Sequence, residues 1–597
     1  MATSARSDRP ALALSLLVWL VMLTAAIVLV AVNGRNVPCW DDWDLVPAMT
    51  GQQPVTAQWL WSQHNEHRVP VPRLLMLALL RLGPADFRAG MYYNVFAAAA
   101  LALLMIFAAR RARGYAAYSD VFFPVVLMHW GEAINYLWCW QVQFYTSMLL
   151  AGCALALIVR SATRPALPAA VGVGACVLLL PLCGANGLGM VPSLSLWLGY
   201  IAILRWRGGS ISDRRTGLLL AGLAIAALLI TGLYFVGYSR VPFHPSTHNP
   251  RRILLTAMQF LTSGFGPGVV GLGFPERVPV PFWPAIVFLV TLLFVITGFM
   301  LVRTWLRQPA ERVRLTGLLL FLGAMVCLAL GLGMGRNGFE PRYITLSVPA
   351  LCAVYLAWSL YGKAPLQPAI TAILLTTAVM LLPLNIWWGW RYTLDLRSRL
   401  DAFGRDIVAG TPPYQIIQRY SFLHPHHIVM MDYMPMLRQA SVGVFAHLQN
   451  DPPFKEIKFP ATPIDTTDVQ WNNGIVRATG KAESLTFALP VDTDLAGLRL
   501  RYTYSHPKHT EPYIAIYWKS SVEPEWGENS YTKYSPTGDR ANWRDGTWLR
   551  LGSRIQTMTA RVCQPVRMVQ IRPAIGNGEL TIYELTALVA PKASSER

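Results

Sequence analysis

Apolar residues run in long stretches through the first two thirds of the chain, and polar clusters rich in Arg or Trp close each stretch. One helical crossing of a bilayer takes about 20 apolar residues. The pattern predicts eleven crossings, near 11–32, 89–109, 119–138, 141–159, 167–183, 186–204, 216–237, 283–302, 315–333, 344–361 and 367–388. The first follows Arg6 and Arg9. Its apolar core exceeds the ~7–15 residues of a secretory signal, so it is expected to stay as an anchor. The stretch 119–138 is the most interrupted, by Trp130, Glu132 and Asn135. Beyond Trp390 the pattern changes. Residues 391–464 mix helical and loop signals, and from 465 short runs such as SLTFALPV, YIAIYW and LTIYELTALV alternate apolar and polar positions between turn residues. That period of two marks half-buried strands. The predicted fold class is a mostly α-helical polytopic membrane protein with a C-terminal antiparallel β-sandwich or jelly roll. The domains expected are 1–390 in the membrane, 391–464 as a connection and 465–597 as the sandwich.

Composition supports this division. The chain is 54% hydrophobic and 14% charged, against about a quarter charged in soluble domains. The excess of 51 Lys and Arg over 32 Asp and Glu gives a net +19. The basic residues sit at the ends of apolar runs and not in patches, which argues against a nucleic-acid partner. With the N-terminus inside, the inner segments hold 16 basic and 4 acidic residues and the outer ones 11 and 8. That is the sign expected of positive-inside topology, and an odd number of crossings then puts the C-terminal domain outside the cell membrane. No CxxC spacing occurs, so a structural zinc site is not predicted.

Candidate chemistry gathers in the outer segments. The first reads NVPCWDDWDLVPAM, with Asp41, Asp42 and Asp44 flanked by Trp40 and Trp43. Carboxylates held beside an apolar surface and beside one another resist ionisation, which suits a general base; alternatively Asp41 and Asp42 recruit a divalent cation such as Mg or Mn. The same segment carries His64, Asn65, Glu66, His67 and Arg68. The spacing is not that of a zinc protease, but His and Arg there are suited to an anionic phosphate, or else simply begin an interfacial helix. A late outer loop, GMGRNGFEPRYITLSVP, offers Arg336, Asn337, Glu340, Arg342 and Tyr343 among glycines that let the backbone approach a ligand. Two arginines on the side disfavoured by topology are best kept if they meet a lipid phosphate. The outer segment HPSTHNPRR adds His244, His248, Arg251 and Arg252. Outer tryptophans, among them Trp59, Trp61, Trp138 and Trp140, suit either sugar stacking or an interfacial belt.

An acidic pair just after the first span, about a dozen spans, interfacial outer segments and the RYxxxxxP string leading into a late span resemble the GT-C type of membrane glycosyltransferases. The resemblance covers residues 1–390, and the WDDWD and HNEHR strings assign no subfamily. It implies a polyprenyl-phosphate-linked sugar as donor, a glycan, lipid or protein as acceptor, and inversion at the anomeric carbon. It implies that Asp41 or Asp42 is the catalytic base and that Arg336 or Arg342 holds the lipid phosphate. Asp44, His64, Glu66, His67, Arg68, Glu340 and Tyr343 complete the expected substrate-binding set. The setting expected is a bacterial inner membrane, with membrane lipids as partners. The competing readings are a transporter or flippase of lipid-linked sugars, which would need ionisable groups near the bilayer midplane, and a glycan ligase.

Overall fold

A computed structural model describes residues 5–161, 167–239, 246–270, 282–336, 340–424, 427–480, 483–505, 513–521, 531–534, 552–574 and 578–590. The chain divides into two compact units. One comprises residues 1–35 and 56–398, the other residues 36–55 and 399–597. The first outer segment is therefore split. WDDWD belongs with the C-terminal unit, and HNEHR with the helical one.

The helical unit contains α1 (Ala5–Asn33), α2 (Arg88–Arg113), α3 (Val142–Val159), α4 (Leu167–Leu179), α5 (Val191–Arg207), α6 (Ile211–Tyr234), α7 (Trp283–Arg307), α8 (Arg312–Gly335), α9 (Ile344–Tyr361) and α10 (Leu366–Val408), the last running on past the unit boundary. Among the described residues nine helices are long and apolar enough to cross a membrane, and Leu167–Cys183 is a shorter apolar one. Large apolar side chains face outward from them, including Leu229 at 63%, Phe299 at 69% and Met380 at 73% exposure. Water would not tolerate so many exposed apolar surfaces, and lipid favours them. The chain is an integral membrane protein. The helices α5 to α8 share a polarity of charge: Arg205 and Arg207 end α5, Arg214 and Arg215 lie in the first turns of α6, Arg303 and Arg307 in the last turns of α7, and Arg312 and Arg314 begin α8.

The predicted crossing 119–138 is not one helix. Gly90 lies against Cys139 and Gly152 against Leu101, so α2 and α3 run in the same direction. Residues 114–138 must return the chain over that length, and they do so as Tyr118–Val121, Phe122–Leu127, Trp130–Glu132 and Ala133–Tyr136, all short turns of helix. Non-helical backbone at this depth survives only inside protein. Here the return path is buried and antiparallel to α9, with one carboxylate holding each end. Asp120 accepts from the Tyr355 hydroxyl at 2.9 Å and pairs with Arg113 at 2.6 Å. Glu132 accepts from Thr345 at 2.6 Å, Asn135 at 2.7 Å and Tyr145 at 3.2 Å. Lodged between these contacts, α9 is buried on every side over its first sixteen residues.

In the C-terminal unit Trp40–Leu45 forms a single 3₁₀ segment whose Trp43 is fully buried, edge-on to Phe445 with ring centroids 6.0 Å apart. Helices Pro413–Arg419 and His427–Gln439 precede the strands. Hydrogen bonds join nine described strands into one antiparallel sheet, the C-terminal β-domain that the alternating runs predict. Its long members, Ser484–Ser505 and Gly552–Ala574, pair along most of their length through three register shifts. Such bulges add local bend and twist to a strand. Leu485, Leu500, Ile571 and Leu580 close its core. Residues 522–530 and 535–551, which carry Trp526, Trp543 and Trp548, lie outside the described residues.

Candidate functional site

HNEHR does not begin a helix. Gln63–His64 and His67–Arg68 pair as a two-residue hairpin, β1 and β2, with Asn65 and Glu66 as its loop. Asn65 takes the left-handed φ of 57°, which asparagine tolerates better than most residues. The hairpin is bound to the last turn of α6. The Tyr234 hydroxyl donates to the Glu66 carbonyl at 2.7 Å and accepts from the Arg68 amide at 3.1 Å. The Gln63 side chain exchanges two hydrogen bonds with the Ser239 backbone, at 2.6 and 3.1 Å. Arg68 donates to the carbonyls of Trp61, Tyr234 and Val236 at 2.7, 2.9 and 2.8 Å. Its guanidinium thus locks the hairpin and is committed to main-chain oxygens. Burial lowers its proton affinity, as expected of a cation removed from water. His64 is buried with its ring centroid 4.6 Å from that of Trp140.

The loop of this hairpin opens on a cavity of about 560 Å³. Phe144 of α3, Leu328 and Leu332 of α8 and Leu346 of α9 give it an apolar wall, while Glu66, His67, Asn186, His248 and Arg336 supply polar groups and Tyr343 a phenol. The cavity lies at the end of α8 remote from Arg312 and Arg314, and at the end of α6 remote from Arg214 and Arg215. Glu66 and Arg336 form an ion pair, with side chains 23% and 15% exposed. His67 Nε2 is 3.4 Å from the same carboxylate oxygen, and its Nδ1 accepts from the Ala185 amide at 3.1 Å. That second bond selects the tautomer protonated at Nε2, the nitrogen nearer Glu66.

Of the expected substrate-binding set, Glu66, His67, Arg336 and Tyr343 line this cavity, while His64, Arg68, Glu340 and Arg342 do not and Asp44 belongs to the other unit. Arg342 is outside the cavity lining; its guanidinium lies 5.8 Å from the Trp138 ring centre and 5.6 Å from that of Tyr343, and its carbonyl accepts from Asn135 at 3.1 Å. Glu340 is exposed. Of the two arginines, only Arg336 lines this cavity. Asn186 was not picked out from the sequence. Its amide donates to Ser147 at 2.6 Å, and the glycines around it in CGANGLG were its sequence signal. His248 reaches the cavity because Thr247 donates its amide to the Met334 carbonyl at 3.1 Å. His244 and Asn337 lie outside the described residues.

In the other unit, Asp42 is fully buried and accepts from the Cys39 amide at 3.1 Å, closing the 3₁₀ turn that it belongs to. Asp41 and Asp44 are half-buried on the same turn. Among the described residues no three His, Cys, Asp or Glu side chains are grouped so as to hold a metal ion.

No family model matches the chain, and no curated protein matches it. Among solved structures it is similar to ArnT from Cupriavidus metallidurans bound to undecaprenyl phosphate, at 15% identity over 75% of this chain and 78% of that one, with a TM-score of 0.35. It is also similar to the arabinosyltransferase EmbB from Mycobacterium smegmatis, at 10% identity over 96% of this chain and 64% of that one, with a TM-score of 0.27.

Proposed function

We propose that the protein is a membrane glycosyltransferase that takes its sugar from a polyprenyl-phosphate donor. The observation that carries this reading is the cavity of the helical unit, where an apolar wall from α3, α8 and α9 meets Arg336, His67 and Asn186. A lipid phosphate has the same division, an apolar tail and an anionic head. The volume falls within the roughly 300–1,000 Å³ typical of ligand sites. On this reading Arg336 holds the phosphate by its forked donors and steadies the charge that builds on it as the anomeric bond breaks. The side bearing the cavity is the outer one, since the arginine-rich helix ends mark the cytoplasm.

For the base that removes the acceptor's proton, Asp41 is the choice over Asp42. A base has to reach its proton, and the Asp42 carboxylate is buried on a backbone amide. A flippase would place ionisable groups along the path of its cargo. The two carboxylates of the broken crossing, Asp120 and Glu132, are instead tied to α9 and do not line the cavity.

The deciding experiment is transfer by the purified full-length protein from a radiolabelled polyprenyl-phosphate sugar, with Arg336→Ala and Asp41→Asn beside the wild type. At sub-saturating donor, transfer is expected from the wild type and to fall at least about 10-fold in both variants while their melting temperatures stay unchanged. Wild-type turnover in both would overturn the reading.

A further inference from the structure

Arg336 sits where an anionic head group is read to bind, yet it already has an anionic partner. Its guanidinium pairs with Glu66, and both side chains are largely withdrawn from water. A cation at the edge of an apolar cavity is unfavourable without a counter-ion, and Glu66 supplies one to Arg336. A phosphate oxygen and the Glu66 carboxylate compete for the same forked donor, and two anions cannot share it without repulsion.

We propose that Glu66 is the counter-ion that the donor's phosphate displaces from Arg336. The inference rests on the reading of the cavity as a lipid-phosphate site. What makes the exchange feasible is the second neighbour of the carboxylate. His67 Nε2 is 3.4 Å from the same Glu66 oxygen, and the Ala185 amide bonded to Nδ1 leaves the ring proton on Nε2. When Arg336 turns to the phosphate, Glu66 keeps a donor and is not left as an isolated buried charge. The backbone need not move, because Tyr234 and Gln63 fix the hairpin on both sides of the loop. Only ligands with a formal negative charge drive the exchange, so the neutral alcohol leaves the pair as it is.

The test is equilibrium binding of farnesyl phosphate and of neutral farnesol to the full-length protein in detergent, for wild type, Glu66→Gln, Glu66→Asp and Arg336→Met. Glu66→Gln is expected to tighten farnesyl phosphate binding by roughly 5-fold, the upper range for a partly exposed ion pair, and to leave farnesol unchanged. Glu66→Asp, which keeps the charge but shortens its reach, should fall between, so the test survives if the Gln variant is recovered poorly. Arg336→Met should bind the phosphate no better than the alcohol. If Arg336→Met loses the phosphate while neither Glu66 variant binds it more tightly than wild type, the exchange is overturned and the phosphate site stands. If Arg336→Met binds farnesyl phosphate as well as wild type, the cavity reading itself fails.

Discussion

Arg68, Arg336 and Arg342 lie within a few residues of the expected site, yet they face three different surroundings. Arg68 is spent on three carbonyls, Arg342 on two aromatic rings, and Arg336 on a cavity with a carboxylate. Their variants should separate accordingly. Arg336→Ala is predicted to raise the donor KM by about 10- to 100-fold, the worth of a charge-assisted hydrogen bond, with the melting temperature unchanged. Arg68→Met should instead lower the melting temperature, because three carbonyls lose their donor at once, and activity should fall only with the folded fraction. A thermal-shift measurement beside a steady-state assay distinguishes the two. The aspartates divide in the same way. Asp41→Asn is expected to cut turnover about 100-fold or more while the protein stays folded, whereas Asp42→Ala releases the Cys39 amide and should cost stability of about 1 kcal/mol. The sequence shows that these residue types are clustered near span ends. It does not show which arginine faces a cavity, because that depends on the last turns of α6 and α8, far away in the chain.

At the scale of elements, the long helices were legible because 18 or more apolar residues have few other uses. The hairpin was not. Two strands of two residues carry no periodicity, and HNEHR reads equally well as the polar start of the helix that follows. The broken crossing was half legible. Glu132 and Asn135 showed as interruptions of an apolar run, but the reason they are tolerated is a partner on α9, more than two hundred residues later. Removing one such bond should loosen the crossing. Tyr355→Phe is predicted to destabilise the helical unit by about 1 kcal/mol, since Asp120 loses one donor but keeps Arg113. Gly152→Leu should be far worse, because a side chain there meets that of Leu101 across the contact of α2 and α3. Heat denaturation of the two variants in one detergent would order them.

For the whole molecule, charge placement and apolar length fixed the membrane assignment before any packing was known, and the nine long helices bear it out. What composition could not place was the partition of the first outer segment. WDDWD and HNEHR are about twenty residues apart, and they belong to different compact units. The topology reading gives a direct prediction. A cysteine introduced at Gly209, between the basic ends of α5 and α6, should react with an impermeant maleimide only after the cell membrane is opened, and one at Ser239 should react in intact spheroplasts. Equal labelling of both from outside would invert the orientation.

A connection of two residues has no slack. Adding a single residue between Gln63 and Arg68 would leave every side chain of the cavity present, yet it would shift the register of the pair and carry Glu66 away from Arg336. In this hairpin length is therefore as much a determinant as residue identity, and a chain that keeps all the right letters with one extra between them should lose the ion pair and with it the proper resting state of the cavity.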